Sequence, residues 1–401
     1  MVYCRSVGVF LKSKLITTMF AGFVRLALGD QHSLLLKQDG SVWGTGNNQH
    51  GQLADHLNHN YVFTRIFGRD AIAVAAGSSH SMVLTRGGSV WATGQNLYGQ
   101  LGKGVKKFKN TFTKVITGGA LAVTAGSCHS MVMKRDGSVW AVGRNDRGQL
   151  GHDTTTLRRS FVKVIHNGVK AMAAGGYHSM VIKHDGSVWG TGSNSFGQLG
   201  TGLLFDHSVA FKKVVEGGGK AVAAGAVHSM VVKYDGSVWT TGRNLFGQLG
   251  DGTTVAKSTF TQVVVSGAKA VAAGSEHSMA LKEDGIVWTA GSSLHGQLGD
   301  GSTRDRNYFM RVTTAGARGV AAGFGHSMFL TVDDGLWATG WNLYGQFGDG
   351  SITSTSSFTR VAEDSDAVHN ALTRTGSGID ADSSVTSIPT ELGNIVPPSV
   401  T

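Results

Sequence analysis

The sequence predicts an all-β protein, a seven-bladed β-propeller built from four-stranded blades. Three observations predict it. A His-Ser pair recurs seven times, at His32, His80, His129, His178, His228, His277 and His326, in steps of 48 to 50 residues. A Trp follows each of these histidines 11 residues later, at Trp43, Trp91, Trp140, Trp189, Trp239, Trp288 and Trp337, and only Trp341 falls outside the pattern. The apolar runs are short and rich in β-branched residues, with no competing helical period.

Each copy supplies its strands in a fixed order. A small-residue strand ending in "AAG" opens the copy and is followed by "HSMVVK" and "SVWTTG". Both runs suit a pleated, half-buried surface. Asp-Gly separates them in five copies, at Asp39-Gly40, Asp136-Gly137, Asp185-Gly186, Asp235-Gly236 and Asp284-Gly285. That pair favours a tight hairpin because glycine accepts positive φ at no steric cost. Copy two has Gly87-Gly88, and copy seven departs with Asp333-Asp334-Gly335. The fourth strand carries a recurring Phe, at Phe63, Phe112, Phe161, Phe211, Phe260, Phe309 and Phe358.

Units of this kind must bury their faces against one another, and a ring does so while leaving only short sheet edges. An open solenoid has shorter coils than this period. The chain starts near an "AAG"-type strand and ends on "FTRV", so the expected clasp is a final blade that mixes strands from both ends. The propeller is assigned to residues 23–362. Residues 1–22 read as a degenerate strand or, with their basic residues and absence of acids, as a transit sequence. Residues 363–401 read as a disordered tail: Ser/Thr-rich, without the repeat, with all three prolines and six acids against one base.

That tail carries a net charge of −5, so residues 1–362 carry +15 of the chain's +10. A basic body favours acidic protein partners or nucleic acid. The densest cluster is Lys103, Lys106, Lys107 and Lys109 in "GKGVKKFKN", the candidate anion site. Two cysteines, Cys4 and Cys128, give no disulfide framework. With no N-x-S/T acceptor, this favours cytoplasm or nucleus. No apolar run is long enough to span a membrane, and the chain is expected to be a monomer.

The unit "AAGxxHSMVVKxDGSVWTTGxNxxGQLG" resembles the repeat of the family named for the regulator of chromosome condensation. The "AAG…HS" strand, the "DGSVW" hairpin and "GQLG" (Gly99 to Gly102, Gly148 to Gly151, Gly197 to Gly200, Gly247 to Gly250, Gly296 to Gly299) carry the likeness, with "GQLA" and "GQFG" in copies one and seven. The resemblance covers residues 23–362 and implies a seven-bladed propeller. It also implies a choice of activities. Family members include a guanine-nucleotide exchange factor for the small GTPase Ran that docks on nucleosomes, photoreceptors, ubiquitin-ligase modules and scaffolds. Exchange in the family is associated with a protruding wedge-like hairpin, for which the even spacing leaves no room. The photoreceptor's Trp has no counterpart at Asp30, Ser78, Ser127, Gly176, Ala226, Ser275 or Phe324.

Seven equivalent histidines suit structure better than catalysis, which needs asymmetric groups. They are expected to tie neighbouring backbone with help from the Ser hydroxyl, and the tryptophans to fill the core between blades. No enzymatic constellation, cofactor loop or metal motif stands out. Function is expected where copies differ. One variable set lies between "AAG" and "HS", from Asp30-Gln31 to Phe324-Gly325. The other precedes "GQLG": His50, Tyr98, Arg147, Phe196, Phe246, His295 and Tyr344. Tyr, Phe, His and Arg are residue types that protein contacts use. The expectation is therefore an interaction scaffold, with a Ran-type exchange factor or chromatin-binding protein as the alternative.

Overall fold

The computed structural model describes residues 25–104, 107–314 and 316–361. The segments assigned as 1–22 and 363–401, and Lys106, lie outside them. Twenty-eight strands form seven four-stranded antiparallel sheets, each built from consecutive strands. Blade 1 holds β1 (Arg25–Leu28), β2 (His32–Leu36), β3 (Val42–Asn47) and β4 (His59–Phe67). The pattern repeats through blade 7, with β25 (Ala317–Ala322), β26 (His326–Thr331), β27 (Leu336–Gly340) and β28 (Thr355–Val361). The expected mixed final blade is therefore corrected. The first and last described strands each belong to a blade of consecutive strands, and blade 1 packs against blade 7 through the same bonds that join every other pair. A mixed blade is unnecessary here because these buried side-chain bonds close the ring.

Those bonds form a repeating relay. Each His Nε2 meets the Ser Oγ of the next blade: His32–Ser81, His80–Ser130, His129–Ser179, His178–Ser229, His228–Ser278 and His277–Ser327 lie at 2.8–3.0 Å, and His326–Ser33 at 3.1 Å. Six of these serines, Ser33, Ser130, Ser179, Ser229, Ser278 and Ser327, then donate their single proton to the Gln carbonyl of the preceding blade's "GQLG" element, as in Ser179 to Gln149 at 2.7 Å. With that proton committed, the His must donate from Nε2–H. The histidines thus reach backbone only through serine, a correction to the expected direct tie. All seven are fully buried. Burial pushes their pKa values down to about 3 or about 4, so they are neutral.

Seven apolar clusters fill the seven interfaces between blades. The closing one joins Leu26, Leu28 and Phe63 of blade 1 to Met328, Leu330 and Phe347 of blade 7. The "GQLG" leucine, or Phe347 in copy seven, is buried in every blade. Burying one such side chain contributes about 1.5–3 kcal/mol. The last Gly of each "GQLG" has positive φ and lies under the Phe of the next blade's fourth strand. At Gly151 an added Cβ would sit 2.6 Å from the Phe211 ring. In copy one, Ala54 holds this position with φ 57°.

The hairpins are three-residue turns in which glycine alone takes positive φ, such as Gly137 at 75°. Asp136 Oδ1 accepts bonds from the backbone N–H and hydroxyl of Ser138 at 2.9 and 2.6 Å. In copy seven Asp334 takes the glycine's place at φ 67°, so the turn survives the departure. The repeat tryptophans are half-buried, not enclosed. Trp91, Trp189, Trp288 and Trp337 pack on cores between blades. Lysines lie over the rings, Lys183 Nζ for example 3.8 Å from the centroid of Trp189.

Candidate partner-binding face

Antiparallel order fixes which loops share a face. The first-to-second and third-to-fourth strand connections open on one end of every blade, and the hairpins on the other. Both variable sets therefore lie on one face.

The third-to-fourth connection is held by its own side chains. In blade 3, Asn145 Oδ1 accepts from the backbone N–H of Leu150 at 2.9 Å, and Asn145 Nδ2 donates to the Thr154 and Thr156 carbonyls. Gln149 Oε1 accepts from the Arg147 backbone N–H at 2.9 Å. The same Gln bond holds His50, Tyr98, Phe196, Phe246, His295 and Tyr344 by their amides. Each candidate side chain thus stands on a turn fixed from beneath, which lowers the ordering cost of binding.

The candidates do not form one continuous ring; they fall into clusters that bridge blades. Arg144 lies between two tyrosines, its Cζ 4.9 Å from the Tyr98 ring and 4.8 Å from the Tyr177 ring. It also pairs with Asp146 at 2.8 Å, a bond that keeps the guanidinium firmly charged. Arg243 lies over Phe196 and Phe246 at 5.3 and 5.7 Å and pairs with Glu276 at 2.7 Å. Trp341 stacks on His295 at 5.4 Å, meets Tyr344 edge-on at 5.6 Å, and lies 6.1 Å from Phe324. Tyr344 in turn contacts His59 of blade 1 at 5.3 Å. Arg147 is exposed, while Tyr98, Phe246, His295 and Tyr344 are half-buried.

Sequence reasoning passed over two sets. The first is the position after the third strand's last glycine, which supplies Arg144, Arg243 and Trp341. Its variation among copies, and the one extra tryptophan, were the available signals. The second is the leucine that stands just before the aromatic in four copies. Leu97, Leu245, Leu294 and Leu343 are 46–73% exposed at the loop tips. Beyond Phe196 the apolar surface continues through Leu203, Leu204 and Phe205, the last 85% exposed.

The candidate anion site is only partly assembled. Lys103 and Lys107 are exposed, and Lys103 Nζ reaches the Lys114 carbonyl at 3.5 Å. Lys109 turns back onto Thr113 Oγ1 at 3.3 Å. Every strand among the described residues belongs to one of the seven sheets, so they contain no additional hairpin.

Comparison with known proteins agrees with this architecture. A model of the RCC1-like domain matches residues 12–318, and the regulator of chromosome condensation (RCC1) repeat matches residues 317–346. The chain belongs to the RCC1-like domain family. Its propeller is similar in fold to human WBSCR16, with 23% identity over 78% of this chain and 87% of that one and a TM-score of 0.70. Prp20p from Saccharomyces cerevisiae, described by its binding to Gsp1p and histones, gives 23% identity over 78% and 84% and a TM-score of 0.69. Yeast RCC1 (Prp20) bound to Kap60 gives 17% identity over 91% of both chains and a TM-score of 0.73. No curated protein matches the chain significantly. The RCC1-like fold accounts for the blade pattern, whereas the loop-tip leucines and bridging arginines are read from this chain's own residues.

Proposed function

We propose that this RCC1-like propeller is a non-catalytic, monomeric interaction scaffold that holds a protein partner on its loop face. One observation carries the reading: exposed leucines and aromatics stand on loops whose backbones are already fixed by side chains, Asn244 and Gln248 under Leu245 and Gln297 under Leu294. Such anchors concentrate binding energy when a partner covers them. The test is affinity capture from native extract with the intact protein and with the triple variant Phe196→Ser, Leu245→Asp, Leu294→Asp. Loss of specific captured proteins supports the face, and an unchanged set overturns it.

A second reading is a Ran-type exchange factor or chromatin-binding protein of cytoplasm or nucleus. The +15 body and family membership favour it, with Lys103, Lys106, Lys107 and Lys109 as a nucleic-acid contact. Accelerated release of fluorescent nucleotide from a small GTPase would support exchange and displace the scaffold reading. Nucleosome binding that persists at physiological salt would support the chromatin reading.

A further inference from the structure

The innermost strands of all seven blades surround a shaft of about 730 Å³. This lies within the range of small-molecule sites, roughly 300–1,000 Å³. The side chains that keep accessible area along it are small and apolar, among them Leu28, Ala76, Ala125, Ala174, Val222 and Val271, and they alternate with the free backbone edge of each innermost strand.

The hairpin-side mouth is charged on one arc. The second position of the innermost strand is Ile72 in blade 2 and Leu121 in blade 3, but Lys170, Lys220, Lys269 and Arg318 in blades 4 to 7. The three lysines and Arg135 line the shaft against two carboxylates, Asp136 and Glu283. Asp136 is already engaged by Ser138, and Glu283 lies 3.7 Å from Lys220. Lys170 donates to the Tyr234 hydroxyl at 2.8 Å, and Arg318 pairs with Asp334. Arg25, half-buried nearby, donates to the Ile72 carbonyl at 2.8 Å. Burial lowers the Lys269 pKa, and the Glu283 and Asp284 carboxylates offset part of that penalty.

The opposite mouth differs. It is lined by backbone glycines, with Asp30 as its one ionisable side chain. Burial raises the Asp30 pKa, and among the described residues this mouth has no cationic side chain to hold an anion. Polarity along the shaft therefore has a direction. The wall is more open in the blades of Lys220 and Lys269, where Val222 and Val271 are half-buried, whereas Val74, Val123 and Met172 are buried.

We propose that the shaft binds one anionic amphiphile, a carboxylate head against Lys170, Lys220 and Lys269 with its alkyl chain along the apolar wall. A six-residue strand spans about 20 Å, enough depth for a medium-length chain. Neither the loop face nor its partner is involved.

Isothermal titration of the full chain with hexanoate, octanoate and decanoate tests this. Saturable one-to-one binding is expected, tightening about three- to fourfold per added methylene. The Lys220→Gln, Lys269→Gln double variant should weaken decanoate at least about tenfold with its melting temperature held. Decanol and inorganic phosphate, each lacking one half of the ligand, should bind much more weakly. Absence of saturable binding, indifference to chain length, an unchanged affinity in the lysine variant, or equal affinity for decanol or phosphate would each overturn the assignment.

Discussion

Ser33 of the first blade lies 3.1 Å from His326 of the last, although 293 residues separate them in sequence. The Ser33 hydroxyl donates to the Gln346 carbonyl at 2.7 Å, and Thr45 reaches the Gly345 carbonyl at 2.7 Å. The ring is therefore closed by the bonds that join its interior blades.

Equal chemistry should give equal cost. Ser33→Ala strands the Gln346 carbonyl and the His326 N–H, just as Ser179→Ala strands those of Gln149 and His129. Each substitution should destabilise the propeller by about 2–3 kcal/mol. Urea denaturation of both variants checks this. A much smaller effect for Ser33→Ala would show that the closing interface contributes less than its geometry implies.

The seven relay histidines make stability fall in acid. Each is neutral when folded, with its pKa pushed by burial to about 3 or about 4, against 6.5 when exposed. Between these values the unfolded chain binds more protons than the folded one, so stability rises with pH there. It is complete above about pH 6.5 and is lost as pH falls below that value, by about 1.4 kcal/mol per pH unit for each histidine. Chemical denaturation at pH 7.5, 6.0 and 5.0 should show steep loss only below neutrality. His178→Gln should flatten that dependence by about one proton.

Ala54 is the one relay-loop residue of "GQLG" type that holds a left-handed backbone with a side chain, at φ 57°. Its equivalents are glycines such as Gly151, φ 73°. Ala54→Gly should stabilise by about 1 kcal/mol by removing this strain. Gly151→Ala should cost more than that, because its Cβ would also strike the Phe211 ring at 2.6 Å. Melting temperatures of the two variants check both signs.

The fold was legible because every copy repeats its strand order, turn residues and spacing, so seven imperfect signals agreed. The mixed final blade was misread because a clasp is one of two ways to close a ring. Whether β28 completes its own sheet depends on pairings such as Val361 with Leu336, which spacing does not specify. The tryptophans were read as enclosed because indole is large and apolar. The lysines that cover their outer faces come from other strands, as Lys213 does over Trp189. On the candidate face, variation marked Tyr98 and Phe246 correctly as loop residues. It could not show that Arg144 lies over Tyr98, or Arg243 over Phe196, since those contacts join different blades.

Binding and stability should separate on this face. Arg144 is a bridge: it touches Tyr98, Tyr177 and Asp146, which belong to blades 2, 4 and 3. Two cation–π contacts at about 0.5–1 kcal/mol each make Arg144→Ala measurably destabilising, by about 1–2 kcal/mol. Leu245 and Leu294 instead project into solvent, 58% and 73% exposed. Their replacement by Asp should leave stability within about 0.5 kcal/mol of the parent. If the face is a docking surface, the leucine variants lose the captured partner at full stability. Thermal melts run beside the capture experiment distinguish this from a fold that has simply loosened. A leucine variant that melts as early as Arg144→Ala would move those residues from recognition to structure.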